Sequence, residues 1–277
     1  MAIALPFAKY HGAGNDFIMV DQRVQVWLNR GDDDIIATLC HRRFGIGADG
    51  LILLQTSWDD SLNMIYFNAD GRESTLCGNG ARCFAAFAKH LGIVKDYVTF
   101  HAIDGPHEAR ISSRNDGGLE WVELQMNDVN TIETTANDSY ILNTGSPHYI
   151  AFHPDTEKAD MVAEGRAVRY SPRFEREGIN VNLITPQASG NGLRIRTYER
   201  GVEDETLACG TGITAAALAL GRRRQLRGPQ EIPVQASGGQ LSVRYTAHPD
   251  GSFTDIWLCG PAQWVFDGVY WLKTTFP

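Results

Sequence analysis

The feature that most constrains this chain of 277 residues is that it repeats itself. Four segments recur in the same order. Gly14-Asn15-Asp16-Phe17-Ile18 matches Gly145-Ser146-Pro147-His148-Tyr149, and Gly45-Ile46-Gly47-Ala48-Asp49-Gly50-Leu51-Ile52 matches Gly178-Ile179-Asn180-Val181-Asn182-Leu183-Ile184-Thr185. Glu73 to Ala86, containing Cys77-Gly78-Asn79-Gly80, matches Glu205 to Leu218, containing Cys209-Gly210-Thr211-Gly212. Val98 to Gly105 matches Ile232 to Gly239. The offsets are 131, 133, 132 and 134, and a collinear set with so little drift indicates two homologous halves rather than chance glycine turns. The seam is expected near Asn127-Asp128-Val129-Asn130, where a strand-like stretch gives way to polar residues. The expected domains are 1–126, completed by the C-terminal segment 264–277, and 127–263.

Each half reads as mixed α and β. Phe17-Ile18-Met19-Val20, Leu51 to Leu54, Met64 to Phe67, Leu193 to Tyr198, Leu241 to Tyr245 and Asp255 to Leu258 have the β-branched or alternating pattern of strands. The clearest helices follow the two Cys-Gly-x-Gly turns: Ala81 to Leu91, ending at Gly92, and Ile213 to Leu220, ending at Gly221. Both are apolar almost all round, which predicts that each half wraps strands about one buried helix.

Composition narrows the function classes. A formal net charge of -8 argues against nucleic acid as a partner. The opening residues lack the basic stretch and long apolar core of a secretory leader, and no apolar run reaches the ~20 residues that span a bilayer, so a soluble cytoplasmic protein is expected. The five cysteines, Cys40, Cys77, Cys83, Cys209 and Cys259, are scattered without a CxxC pair, which speaks against a disulfide framework and a zinc site. Neither a Walker loop nor a dinucleotide fingerprint occurs, and none of the five lysines sits in an evident pocket motif for a pyridoxal Schiff base. No metal and no cofactor are expected.

Cys77 and Cys209 stand out because each lies where a strand turns into a helix. The first amides of a helix have no intrahelical acceptor, and the helix dipole puts about half a positive charge there, which favours a carboxylate or a thiolate. A thiol in that setting can serve as acid or base near neutrality. Two such sites, one from each half, suit a reaction that inverts a stereocentre: a base removes hydrogen from one face and an acid returns it to the other. Cys83, about 240° round the helix from Cys77, is placed too divergently to pair with it. A hydrolase-type cysteine supported by His11 or His148 would explain one cysteine but not a matched pair. Cys40, Cys83 and Cys259 are expected to be packing residues.

The full set of motifs, His11-Gly12-Ala13-Gly14-Asn15-Asp16-Phe17, Phe67-Asn68-Ala69-Asp70-Gly71, Cys77-Gly78-Asn79-Gly80-Ala81-Arg82-Cys83, Tyr198-Glu199-Arg200-Gly201 and Ala208-Cys209-Gly210-Thr211-Gly212, resembles the diaminopimelate epimerase family from about residue 7 to the C-terminus. That resemblance implies an α/β fold of two pseudo-symmetric domains, each a barrel-like sheet round a central helix, with the active site in the interdomain cleft, and a homodimer. It implies a cofactor-independent isomerase that interconverts LL- and meso-diaminopimelate for lysine and peptidoglycan synthesis. Cys77 and Cys209 are then the paired thiol and thiolate, and His148 and Glu199 the groups that tune them. Gly78, Asn79, Gly210 and Thr211 form the cradle for the reacting carboxylate. Asn15, Asn68, Asn180, Glu199 and Arg200 hold the amines and the distal carboxylate.

Two positions depart from the family pattern. Ser146 stands where many members have Asn, and Gly50 where many have Gln. Both shorten the reach expected near the substrate, which leaves a racemase of another amino acid on the same scaffold as an alternative, and a thiol-dependent redox or acyl-transfer enzyme as a more distant one.

Overall fold

Residues 2–113, 117–135, 137–188, 190 and 192–273 are described by the computed structural model. The chain divides into two units, Met1–Leu124 with Pro261–Pro277 and Gln125–Gly260.

The first unit contains β1 (Ala2–Gly12), β2 (Asn15–Asp21), α1 (Asp33–Cys40), β3 (Gly50–Thr56), β4 (Leu62–Asn68), α2 (Gly78–His90), β5 (Tyr97–Ala102), β6 (Gly105–Ser113) and β7 (Leu119–Met126). The second contains β8 (Glu133–Thr134), β9 (Tyr140–Asn143), β10 (Pro147–Phe152), α3 (Met161–Arg169), β11 (Asn180–Pro186), β12 (Leu193–Glu199), β13 (Asp204–Thr206), α4 (Gly210–Arg223), β14 (Gly228–Ala236) and β15 (Gly239–Ala247). One long strand, β16 (Phe253–Lys273), contributes its first part to the second unit and its last part to the first.

In the first unit the strand order β1 to β7 continues to β16, and β16 pairs back onto β1 from Ala2↔Lys273 to His11↔Gln263, closing a barrel. Closure removes the unpaired edges that an open sheet would expose. Successive pairs from β1 to β6 run antiparallel, parallel, antiparallel, parallel, antiparallel. In the second unit β9, β10, β11, β12, β14 and β15 repeat that succession. The two-residue hairpins after Ala102 and Ala236 are equivalent as well, each re-entering a strand at a glycine of positive φ, Gly105 at 126° and Gly239 at 146°.

In each unit the sheet wraps round its helix. Every residue of α2 from Gly78 to Ala88 is buried, against β1, β2, β3, β4 and β6. In α4 every residue from Gly210 to Gly221 except Thr211 is buried, against β9, β10, β11, β12, β14 and β15. The other face of the same strands is covered too. Ile18, Val20, Leu51, Leu53, Ile65 and Phe67 pack with Ile36 and Leu39 of α1, while Phe17, Ile52 and Met64 face Gly80 of α2. Strand alternation sends successive residues to opposite faces, and here both faces are apolar, which explains the unbroken apolar runs.

Three sequence readings change in detail. The second helix does not stop at Gly221 but runs to Arg223, and Gln225 takes the left-handed position at φ 54°. Gly221 is there for packing, since a Cβ on it would run into the Tyr245 hydroxyl. The first helix does end as expected, with Gly92 at φ 70°. Second, the pairing of Gly50 with Leu183 read from the repeat is out of register. Phe17 pairs with Gly50 and His148 with Asn180, so Gly50 corresponds to Asn180, Ile52 to Asn182 and Phe17 to His148. The connections before the two strands differ, one carrying Gly45 and Gly47 and the other Gly178, so the glycines do not mark equivalent places on the ladder. Third, the structure adds α1 and α3 to the two helices that the sequence pattern marks. Gly165 interrupts the pattern of α3 because the Tyr198 ring would lie 2.5 Å from a Cβ there.

Candidate active site

Cys77 is the N-cap of α2, with extended backbone angles of φ -97° and ψ 118°. Its thiol donates to Asn15 Oδ1 on β2 at 3.6 Å. Asn15 is held in turn: its Nδ2 donates to Asp49 Oδ2 at 2.7 Å. Behind that pair lies a charged cluster, in which Arg42 bridges Asp16 and Asp49 at 2.6 Å each and Lys9, nearly buried, meets Asp16 at 2.7 Å. Burial alone would oppose ionisation of Asp16, but the hydrogen bonds from Arg42 and Lys9 outweigh it and hold the carboxyl well below its usual range. Asn79 Nδ2 also donates to Asn15 Oδ1, at 3.4 Å, and Arg82, fully buried, donates to Asn79 Oδ1 at 2.9 Å and to the Gly78 carbonyl at 3.3 Å.

Cys209 is the N-cap of α4, with φ -110° and ψ 111°. Its Sγ lies 3.5 Å from Thr211 Oγ1, which lies 2.9 Å from His148 Nε2 on β10. His148 Nδ1 accepts from Asn182 Nδ2 on β11 at 3.1 Å. Burial, with the positive Arg200 as a lesser cause, depresses the His148 imidazole to about 3, so it is neutral near pH 7. Thr144 Oγ1 donates to the Thr211 carbonyl at 2.8 Å and anchors the first turn of the helix.

Both helices close their first intrahelical bonds at the N–H of Ala81 to the Cys77 carbonyl and of Ile213 to the Cys209 carbonyl. The amides of Gly78, Asn79 and Gly80, and of Gly210, Thr211 and Gly212, therefore have no acceptor within their helices. Neither first turn carries an acidic side chain, so the positive helix ends are not neutralised from within and favour an anion.

The remaining expected site residues have partners of their own. Asn180 Nδ2 donates to Ser146 Oγ at 3.0 Å and to the Pro147 carbonyl at 3.2 Å, while its Oδ1 accepts from the Arg200 amide at 2.9 Å. Ser146 thus fills its shortened reach by bonding to Asn180. Arg200 is exposed and donates to the Glu177 carbonyl at 2.9 Å. Glu199 accepts from Thr206 Oγ1 at 3.0 Å, and burial pushes its carboxyl above the usual range despite that bond. Asn68 lies at the exposed end of β4, opposite Gly50.

Gly50 is not a truncated contact. A Cβ there would lie 2.5 Å from the Phe67 carbonyl and 2.6 Å from the Tyr66 ring, so the space that a longer side chain would cross is already occupied.

Burial pushes the thiols of Cys40 and Cys83 up to about 12, which keeps both protonated and suits packing. Cys259, also buried, donates to the Trp257 carbonyl at 3.6 Å. Among the described residues no group of three or more His, Cys, Asp or Glu could hold a metal ion. The supporting residues Lys9, Arg42, Asp49, Asn182 and Thr197 escaped the sequence reading as site residues. Asp49 and Asn182 lie in repeated segments, which was the available signal, but their partners are distant in sequence.

The profile of the family described as diaminopimelate epimerase matches residues 7–132 and again 140–265. The chain is 45% identical over 260 residues to a diaminopimelate epimerase of Flavobacterium psychrophilum, covering 94% of this chain and 97% of that one. It is 40% identical over 263 residues to that of Chlorobaculum tepidum, covering 93% and 98%. Among solved structures, a Bacillus anthracis phenazine biosynthesis protein of the PhzF family superposes with a TM-score of 0.76 at 14% identity, covering 97% of this chain and 99% of that one. A hydroxyproline epimerase of Agrobacterium vitis, with bound trans-4-OH-L-proline, superposes with a TM-score of 0.67 at 13% identity, covering 97% and 93%. These two likenesses establish the fold, and the sequence matches establish more: the chain belongs to the diaminopimelate epimerase family.

Proposed function

We propose that this protein is a cofactor-independent isomerase that interconverts LL- and meso-diaminopimelate, serving lysine and peptidoglycan synthesis. The observation that carries the reading is a cysteine as the N-cap of a buried helix in each half, at Cys77 and Cys209, in a chain of this family. The chemistry follows from the groups present. A thiolate removes the α-hydrogen as a proton, and the electron pair of that C–H bond moves into the carboxylate as an enediolate. The opposing thiol then delivers its proton to the other face. Charge balances, because one sulfur gains the proton that the other loses, and the reverse direction exchanges the roles of Cys77 and Cys209. Inversion at one carbon requires both sulfurs to reach it.

The amides of Gly78, Asn79, Gly210 and Thr211 are the donors suited to the developing oxyanion, in the way that an oxyanion hole acts. Asn15, Asn68, Asn180, Glu199 and Arg200 are the proposed contacts for the amines and distal carboxylate, and His148 and Glu199 the groups that tune the thiols. Catalysis of another amino acid is the weaker reading, because Ser146 and Gly50 are each met by protein groups rather than left as gaps.

Incubation of reduced protein in D2O with each isomer tests the reading by mass spectrometry. Deuterium at the α-carbon of LL- and meso-diaminopimelate is expected. No exchange with either isomer, or faster exchange with a different amino acid, refutes it.

We also propose a cytoplasmic homodimer. No helix among the described residues is long and apolar enough to cross a membrane. Ile3, Phe266, Val269 and Trp271, on the paired strands β1 and β16, are exposed apolar residues suited to contact with a second copy. Sedimentation at micromolar concentration distinguishes dimer from monomer.

A further inference from the structure

We propose that Asn182 and Asn15 are positioning residues that make Cys209 the thiolate and Cys77 the thiol of the resting pair. The inference deepens the epimerase reading and rests on it, but it concerns the protein before substrate binds.

On the Cys209 side the hydrogen-bond polarity can be followed atom by atom. The Tyr149 carbonyl can only accept, so the group facing it at 3.1 Å is the Asn182 NH2. Thr197 donates to Asn182 Oδ1 at 2.9 Å, which fixes the amide from its other end. The second Asn182 N–H therefore points at His148 Nδ1, 3.1 Å away. A neutral imidazole that accepts at Nδ1 carries its proton on Nε2, and that proton goes to Thr211 Oγ1 at 2.9 Å. With its oxygen already accepting, Thr211 turns its own hydroxyl proton toward Cys209 Sγ at 3.5 Å. A sulfur that receives a hydrogen bond is favoured as the anion.

On the Cys77 side the polarity is reversed. The Asp49 carboxylate can only accept, so it takes the Asn15 NH2 at 2.7 Å. Asn15 consequently presents its carbonyl oxygen to Cys77 Sγ at 3.6 Å. An amide oxygen has no proton to give, so the sulfur must supply one, which favours the thiol.

Corresponding positions in the two barrels show that the difference is built in. Against Gly80 of α2 lie Ile52 and Phe17, whereas against Gly212 of α4 lie Asn182 and His148 in the same strand register. Asn15, which meets Cys77, corresponds to Ser146, whose hydroxyl is occupied by Asn180. Each thiol is also the cap of a helix N-terminus, so the dipoles favour both sulfurs alike and do not decide between them. On the Cys209 side His148 reaches the sulfur through Thr211, and Arg200 acts on His148. On the Cys77 side the charged and titratable groups are Asp16, Asp49, Lys9 and Arg42 behind Asn15, with Arg82 and Cys83 on α2.

Substrate-free alkylation with iodoacetamide from pH 5 to 10, with peptide mass spectrometry reporting each cysteine, reads the two ionisation midpoints. Cys209 is expected to reach half-maximal reactivity about one pH unit or more below Cys77. Burial alone gives the opposite order in rate, because Cys209 is 9% exposed and Cys77 is more open. Asn182→Leu and Thr197→Val should each raise the Cys209 midpoint while leaving that of Cys77 in place, and should shift the acid limb of the kcat/KM profile upward. Equal midpoints in the wild type, or variants that move both cysteines together, overturn the proposal. Should Asn182→Leu fail to fold, 15N NMR of histidine-labelled wild type decides: an Nε2–H tautomer for His148 supports the relay and an Nδ1–H tautomer overturns it. Deuterium exchange with equal midpoints would sink this inference and spare the epimerase reading, whereas unequal midpoints without exchange would do the reverse.

Discussion

Asn182 and Gly212 approach so closely that a Cβ at position 212 would lie 2.5 Å from Asn182 Oδ1, with His148 Cε1 next at 3.2 Å. The second glycine of the Cys209 motif thus makes room for the polar relay. At the corresponding Gly80 the nearest atom is Ile52 Cδ1 at 2.9 Å, the end of a flexible side chain. Gly212→Ala is therefore expected to cost about 1–3 kcal/mol through overpacking, beyond the ~1 kcal/mol that alanine gains in a helix, and to slow turnover. Gly80→Ala should stay within about 1 kcal/mol of wild type, because Ile52 can turn aside. Urea unfolding of the two variants checks this, and a more damaging Gly80→Ala contradicts it.

His148 gives a pH dependence with a definite sign. Its folded value of about 3 lies below the ordinary 6.5 of a free imidazole, so the unfolded chain takes up this proton first as pH falls. The stability contributed by neutral His148 is complete above pH 6.5 and is lost progressively toward pH 3, at up to about 1.4 kcal/mol per pH unit. His148→Gln should be less stable than wild type at pH 7.5 yet lose less on going to pH 4.5. Parallel losses in paired denaturant titrations would show that the imidazole is not held neutral.

Gly50→Gln, which adds the longer side chain, is expected to fail. Its Cβ would meet the Phe67 carbonyl at 2.5 Å, and backbone cannot move aside as a side-chain tip can. A loss of about 1–3 kcal/mol in thermal or urea unfolding is expected, with no gain in kcat/KM. A stable variant with improved turnover would mean that Gly50 is a missing substrate contact after all.

Tyr245 lies at 2% exposure with its hydroxyl lacking a hydrogen-bond partner among the described residues, against Gly221. Tyr245→Phe removes a buried group that folding strips of water without recompense. The variant should be as stable as wild type or more so, by up to about 1 kcal/mol. A loss of more than that in urea unfolding would reveal a bond that the hydroxyl makes.

The duplication, the strands and the two cysteine-capped helices were legible in the residues themselves, because each is written in short-range terms. Apolar runs mark β2 and β3, alternation marks β12, and the Cys-Gly-x-Gly turns mark the starts of α2 and α4. Where a glycine is needed for a distant neighbour, local reading misleads. Gly221 looks like a helix end and is a contact with Tyr245, and Gly165 hides α3 because it admits the Tyr198 ring.

Sequence alone determined that two related halves each set a thiol at a helix start, since helix capping and strand periodicity depend on near neighbours in the chain. Tertiary structure decided what stands behind each thiol. Asp49 turns the Asn15 amide and Asn182 turns the His148 ring across gaps of 34 residues in both cases. Hydrogen-bond polarity of that kind depends on strand register, and register is settled only when each sheet packs on its helix.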